Sequence, residues 1–342
     1  MSLRHYDSFD TYVTADLSQN YNNVNSSGMA ISAGNGRRST ASLRFTTSSG
    51  NVLKSFDHQS TWIIGFSLRV AALPSTSSRE FIVFYDGGSV QVDLRLNAAG
   101  QLFFTRGGTT TLASSTNAIS ANTTYHIQAK IFISDTVGTV ELRVNGTNTG
   151  WIPQVGSLDT KNSTTNATVN GILIQGAVSS ANTDYDDLWI CDGQGSAPYN
   201  DFLGDLRADV LTVNGAGNSA QFSPTSGGNY TCVDESAPNG DTDVVSSSTV
   251  GHKDTYAYSD LAHTPTTIYG VKIKAVVKKD DAGYRAINLV TRSGGADYDS
   301  SEMALPSSYT AVTQIRETDP ATGVAWTRTN LNAAEFGVKV AA

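Results

Sequence analysis

Between residues 90 and 108 the chain reads VQVDLRLNAAGQLFFTRGG, and no other stretch restricts the fold as tightly. Val90, Val92, Leu94 and Leu96 alternate with Gln91, Asp93, Arg95 and Asn97. A period of two sends successive side chains to opposite faces of a strand, whereas one face of a helix recurs near 3.6 residues. Asn97 to Gly100 then supply the side chains of a tight reversal, and a second apolar run returns. The pair reads as a β-hairpin with one dry and one wet face.

The same signal recurs along the first half. TWIIGFSLRV (61–70), FIVFYDG (81–87), YHIQAKIFIS (125–134) and TVELRVNG (139–146) are β-branched or aromatic runs, the last closing in the turn pair Asn145-Gly146. GILIQGA (171–177) and DDLWICDG (186–193) follow. No stretch of any length carries helical periodicity; only 71–73 and 331–335 read as helical turns. Composition agrees, with 39% hydrophobic and 16% charged residues. A length of 342 residues suits two domains. Near residue 194 the texture changes: QGSAPYNDFLGD (194–205) reads as a linker or a crossing segment. After a polar tract at 223–248 a second strand set appears, led by IYGVKIKAVVKKD (268–280) and YRAINLVTRSGG (284–295). The expectation is an all-β chain: a jelly-roll sandwich over 1–195, then a smaller β-sandwich domain over 205–342.

Charge narrows the function classes. With 23 basic against 31 acidic residues the formal net charge is −8, and no dense basic patch appears. Nucleic acid and anionic membranes are therefore not expected as partners, because both need clustered cations. The start, MSLRHYDSFDTYVTAD, is polar, and no apolar run approaches the ~20 residues of a membrane span. Cys191 and Cys232 are the only cysteines, without zinc spacing; two free buried thiols are expected ahead of a bridge.

These residues carry a resemblance. WIIGFSLRV, VDLRLNAAGQLFFTRGG, ANTTYHIQAKIFISDTVGTVELRVNG (121–146) and DYDDLWICDG resemble, in order, landmarks of the concanavalin A-like sandwiches of laminin-G-like type. Over nearly its whole length the chain is similar to a class of tailed-bacteriophage virion proteins. That likeness runs from HYDSF through NDFLGDLRADVL and CVDESAPNGDTDVV to DPATGVAWTRTNLNAAEFGVKV. The resemblance implies a structural component of the virion, on head or tail, assembled in the host cytoplasm.

Four aspartates surround the short apolar run of DYDDLWICDG. The functional reading is a calcium site with hard oxygen ligands from Asp184 and Asp186, both placed in a turn before the strand; calcium is the one cofactor considered. The structural reading is a solvated turn that blunts a sheet edge. A glycosidase needs two carboxylates across a groove, but Glu80 and Glu141 each stand without an acidic companion two or four residues away. No G-x-S-x-G elbow and no P-loop is present, and GNGRR (34–38) reads as a turn. A glycan-binding reading uses Trp151 as an exposed platform after the Asn/Gly loop, with Asn145 and Asn148 beside it. The competing reading makes Trp151 a staple between loop and sandwich, and Trp62, Trp189 and Trp326 read as core.

The expectation is a non-enzymatic virion protein that decorates the head or attaches to the tail. It would act through contacts with other virion proteins, as a homo-oligomer with a trimer favoured. A glycan-binding adhesin for host attachment is the alternative, and a glycoside hydrolase stands behind both.

Overall fold

The structure, a computed structural model, describes residues 2–38 and 40–342. Among these the chain is all-β, with α-helix confined to Leu17–Asn20 and Arg328–Asn332. It forms two compact units, one ending at Ala208 and the other spanning Asp209–Ala342.

The first unit is a sandwich of two antiparallel sheets. The eight-stranded sheet runs Thr147–Leu158, Gly138–Val144, Thr124–Phe132, Thr61–Val70, Thr183–Cys191, Ser42–Phe45, Met29–Ser32, with Leu3–Asp7 pairing beside Thr183–Cys191. The seven-stranded sheet runs Thr110–Ala118, Gln101–Arg106, Ser89–Leu96, Arg79–Asp86, Val169–Gln175, Asn51–Gln59, Asn23–Asn25. Between them lies one core that includes Trp62, Phe66, Phe84, Phe104, Ile127 and Tyr185. Thr61–Val70 reads as a continuous apolar run because it is central and nearly every residue is buried. A strand covered on both faces has no wet side to mark with polar residues. The Asn145-Gly146 turn is real: both residues take positive φ, 50° and 80°, as a two-residue hairpin of right-handed twist requires.

Four expectations need correction. The wet face of the 90–96 strand is covered, with Gln91 and Asp93 buried. Residues 71–73 form a bend, while the helical turn near 331 is Arg328–Asn332, capped by the Thr327 hydroxyl, which accepts from the Asn330 N–H. Asp184 and Asp186 lie inside the strand Thr183–Cys191 and not in a turn before it. That strand carries a bulge: Asp187 has φ +49° and the register slips between Asp186 and Trp189. One extra residue reverses the in–out phase, so Tyr185 faces the core before the bulge and Leu188 and Ile190 face it afterwards.

Residues 194–208 do not leave the first unit. They cross its surface, as described below, which settles the linker-or-crossing alternative in favour of crossing.

The second unit is a smaller sandwich with unequal layers. A six-stranded sheet runs Val213–Ala220, Lys253–Tyr258, Glu335–Val340, Ala286–Ser293, Ala296–Asp299, with Met303–Ala304 pairing beside Ala286–Ser293. The ribbon Val271–Val277 with Thr310–Arg316 completes the layer pair, and Ile273, Leu289, Leu331, Trp326 and Phe336 share the core. The polar tract 223–248 is organised by a buried carboxylate. Asp254 accepts from the Gln221 and Phe222 N–H groups (2.6 and 2.8 Å), the Asn229 amide (2.6 Å) and the Tyr256 hydroxyl (3.0 Å). Cys191 and Cys232 are both buried, and neither is in a disulfide.

Candidate functional site

The outer face of the eight-stranded sheet holds the acidic motif. Strand register sets the order of side chains across it. His126 pairs with Ser67, Ser67 with Asp186, Gln128 with Gly65, and Gly65 with Trp189. Partners in register share a face, so His126, Ser67 and Asp186 form a row, and Trp189 lies over Gly65 in the next. All four of these side chains are buried. Ser67 Oγ, both His126 ring nitrogens and Trp189 Nε1 have no hydrogen-bond partner among the described residues.

Two segments cover this face. The loop containing Arg37 and Arg38 clamps the bulge: the Arg37 N–H donates to Asp186 Oδ2 (2.7 Å), and the Arg38 guanidinium pairs with Asp187. The Asp187 N–H in turn donates to Asp186 Oδ1 (2.7 Å). The crossing segment is tied down along its length. Lys130 Nζ donates to the Asn200 carbonyl (3.0 Å) and Asp201 (3.2 Å), and the Arg143 guanidinium lies 4.3 Å from the Phe202 ring centroid. The Gly204 N–H donates to Gln128 Oε1 (2.9 Å), Asp205 pairs with Arg37, and the Ala208 N–H donates to Asp187 Oδ1 (3.0 Å).

Burial shapes the titration of this face. Desolvation, with help from Asp187, pushes the Asp186 carboxyl up to about 7. Burial also raises Asp187 against the pull of its hydrogen bond from Ala208 and of Arg38. His126 is pushed down to about 4 by burial, with Arg37 and Arg38 acting in the same direction and Asp205 opposing them.

The expected calcium ligands are committed elsewhere. Both oxygens of Asp184 accept from Arg44, Nε at 2.7 Å and Nη2 at 2.9 Å, and Ser42 Oγ adds a third donor at 3.0 Å. Asp186 is held by backbone N–H groups, as above. Among the described residues no group of three His, Cys, Asp or Glu side chains is arranged to hold a metal. Three of the roughly four acceptor sites of the Asp184 carboxylate are thus taken by protein donors, and its charge is balanced by Arg44, an arrangement that gives a calcium site no support.

The glycan expectation on Trp151 is corrected. Trp151 is only 9% exposed and belongs to the core between the sheets, as the staple reading has it. Asn145 Oδ1 accepts the His126 N–H (2.9 Å) and so fixes the hairpin, while the Asn148 amide reaches Glu141 at 3.5 Å. The three residues do not converge on one surface.

The seven-stranded sheet brings together something sequence spacing missed. On its outer face Arg95 bridges two carboxylates, with Nη2 2.6 Å from Glu80 and Nε 3.2 Å from Asp93. The acidic companion of Glu80 comes from the adjacent strand, where Arg95 pairs with Glu80 in register. Burial raises Asp93, though Thr105 and Arg95 pull it down. Half-buried Tyr85 and Phe103 share this face, and burial together with Glu80 and Asp93 raises the Tyr85 phenol.

No protein-family model matches the chain, and no curated protein does. Among solved structures, Trypanosoma rangeli sialidase is similar at 14% identity over 44% of this chain and 25% of its own, with a TM-score of 0.33. A further sialidase gives 15% identity over 57% of this chain and 19% of its own, TM-score 0.40. The cellulose-induced protein Cip1 gives 12% identity over 55% of this chain and 96% of its own, TM-score 0.37. The chain thus spans about a third or less of the sialidases it matches. At TM-scores below 0.5 none of these likenesses bears on what the chain does.

Proposed function

We propose that the chain is a non-enzymatic structural protein of a tailed-bacteriophage virion, acting through protein–protein contacts of its two β units. The observation that carries the non-enzymatic part is the fate of the carboxylates. Asp184 is held by Arg44, Asp187 by Arg38, and Glu80 and Asp93 by one shared Arg95. A glycosidase needs one carboxyl to deliver a proton and another to attack or to activate water. Acids neutralised by arginine are staples between strands and loops. The weakly charged, hydroxyl-rich composition suits many small contacts with virion neighbours and with copies of the same chain.

The test is light scattering on the full-length protein, hydrolysis assays on aryl glycosides from pH 4 to 9, and antibody labelling of purified virions. A defined oligomer, no turnover and labelled particles support the reading. Turnover well above the uncatalysed rate overturns its non-enzymatic part, and unlabelled virions overturn the rest.

A glycan-binding reading keeps one observation in its favour, the outer face with Tyr85, Phe103 and the Glu80–Arg95–Asp93 group. Aromatic faces with polar neighbours grip sugar rings and hydroxyls. A glycan array answers it: binding lost in both Tyr85→Ala and Phe103→Ala, with melting unchanged, would place the adhesin first. Silence across the array removes it.

A further inference from the structure

We infer that residues 199–208 are a latch on the outer face of the eight-stranded sheet, and that it opens when the buried ring of His126 takes up a proton.

The geometry has two parts. The first is a series of side-chain anchors: Lys130 to the Asn200 carbonyl and Asp201, Arg143 to the Phe202 ring, Gln128 to the Gly204 N–H, both Nη groups of Arg37 to Asp205, and Asp187 to the Ala208 N–H. None belongs to a strand ladder, so the segment has no cooperative backbone network to hold it. Local openings start in such segments. The second part is what lies on the sheet beside these anchors. His126 is two residues from Gln128 on one strand and shares its face. Its ring is 1% exposed, and neither nitrogen has a partner; Ser67, beside it in register, has none either.

A proton on this ring would meet an unfavourable set of neighbours. The covering loop presents two guanidiniums, Arg37 and Arg38; of the latch's charged groups Asp205 acts on the ring, while Asp201 is held by Lys130 and Arg207 adds a third guanidinium. Asp205 is already held by Arg37, whose hydrogen bond keeps it below the usual carboxylate range. On the strands of the sheet, Lys130 and Arg143 add positive charge, Asp186 and Asp187 lie beyond Ser67, and the hairpin supplies only the neutral Asn145. A buried cation without an acceptor is costly, and lifting the latch gives the ring water. Burial holds the closed-state ring near 4, while a hydrated imidazole titrates near 6.5. The open state therefore binds more protons across that window. Opening becomes more favourable as pH falls, by about 100-fold between pH 7 and pH 4.

Hydrogen exchange of the full chain, corrected for intrinsic rates, tests this from pH 7 to pH 4. Protection at Gly204 and Ala208 should fall by up to about two orders of magnitude, while amides in Thr61–Val70 and Thr124–Phe132 hold theirs. His126→Gln should remove most of that slope. Asp205→Asn should raise exchange of the latch at every pH and keep the slope, which guards against a His126 variant that folds poorly. Asp187→Asn controls for the other acid-sensitive anchor and should also keep the slope. Four results would each overturn the latch. They are protection independent of pH, an unchanged slope in His126→Gln, core amides failing in parallel, and tighter protection in acid, as when protonated His126 captures Asp205.

Discussion

Gly65 is the most exacting position on the covered face, and Gly65→Ala tests how that face is built. A Cβ placed there would sit 2.1 Å from Trp189 Cε2 and 2.3 Å from Cζ2 and Nε1. The backbone itself accepts alanine, because Gly65 is not among the residues of positive φ. The whole effect is steric. To reach an ordinary contact the indole must retreat by more than an ångström, and it is 1% exposed, so it has no free volume to enter. Overpacking of this kind costs about 1–3 kcal/mol, and expelling the ring would cost about 3–5 kcal/mol. Replacing glycine in a strand returns about 0.5–1 kcal/mol. The net expectation is a loss of about 2–3 kcal/mol, which for a unit of this size lowers Tm by roughly 5–10 °C. Calorimetry on the full chain reads the first-unit transition. The double variant Gly65→Ala/Trp189→Leu identifies the cause, because with the ring gone the alanine has nothing to strike. A coupling of about 1 kcal/mol or more should appear, the pair costing less than the sum of the singles. A Tm within about 1 °C of the parent, or strict additivity, would refute the reasoning.

Four further outcomes are expected. Arg44→Ala leaves Asp184 buried with only the Ser42 hydroxyl and the more distant Arg69, 3.6 Å away, and should cost about 3 kcal/mol in urea unfolding; chelator should leave the parent's melting curve unmoved, and a clear drop would return Asp184 and Asp186 to a cation. Between pH 4 and 6.5 two slopes oppose each other. The lowered folded pKa of His126 takes stability away as pH falls from 6.5 to about 4, and the raised folded pKa of Asp186 takes it away as pH rises from about 4 to about 7. Parent stability should then be nearly flat there, with His126→Gln falling as pH rises and Asp186→Asn falling as pH drops; parallel profiles in all three would sink the assignment. Trp151→Ala should cost about 3–5 kcal/mol in the first unit, as a core truncation does, and a stable variant would show that the ring is not core. Asp254→Ala leaves the Phe222 N–H without its acceptor and the Gln221 N–H with only the Lys253 carbonyl, and should lower the transition of the second unit by about 3 kcal/mol while the first unit's stays in place; a uniform shift would contradict two separately melting units.

What the sequence determined by itself is whatever depends on residues close together along the chain. Val90 to Leu96 alternate, Asn145-Gly146 takes the two positive φ values of a hairpin, and TWIIGFSLRV becomes a central strand from Thr61 to Val70. Period and turn chemistry are local, so they survive without knowing what lies across the sheet. The tertiary structure decided everything that depends on lateral neighbours. Asp184 meets Arg44, and Asp187 meets Arg38, across more than a hundred residues of sequence. Glu80 finds Asp93 through an arginine on the next strand. The Asp187 bulge left no mark in the pattern of DYDDLWICDG, yet it sets which side chains face the core on either side of it. QGSAPYNDFLGD carries the composition of a linker and is bound along much of its length, because its partners are single side chains on strands far away in sequence. Strand order places Thr61–Val70 between Thr124–Phe132 and Thr183–Cys191. That order turns Ser67, His126 and Asp186 into one row, and no periodicity within any one strand encodes it.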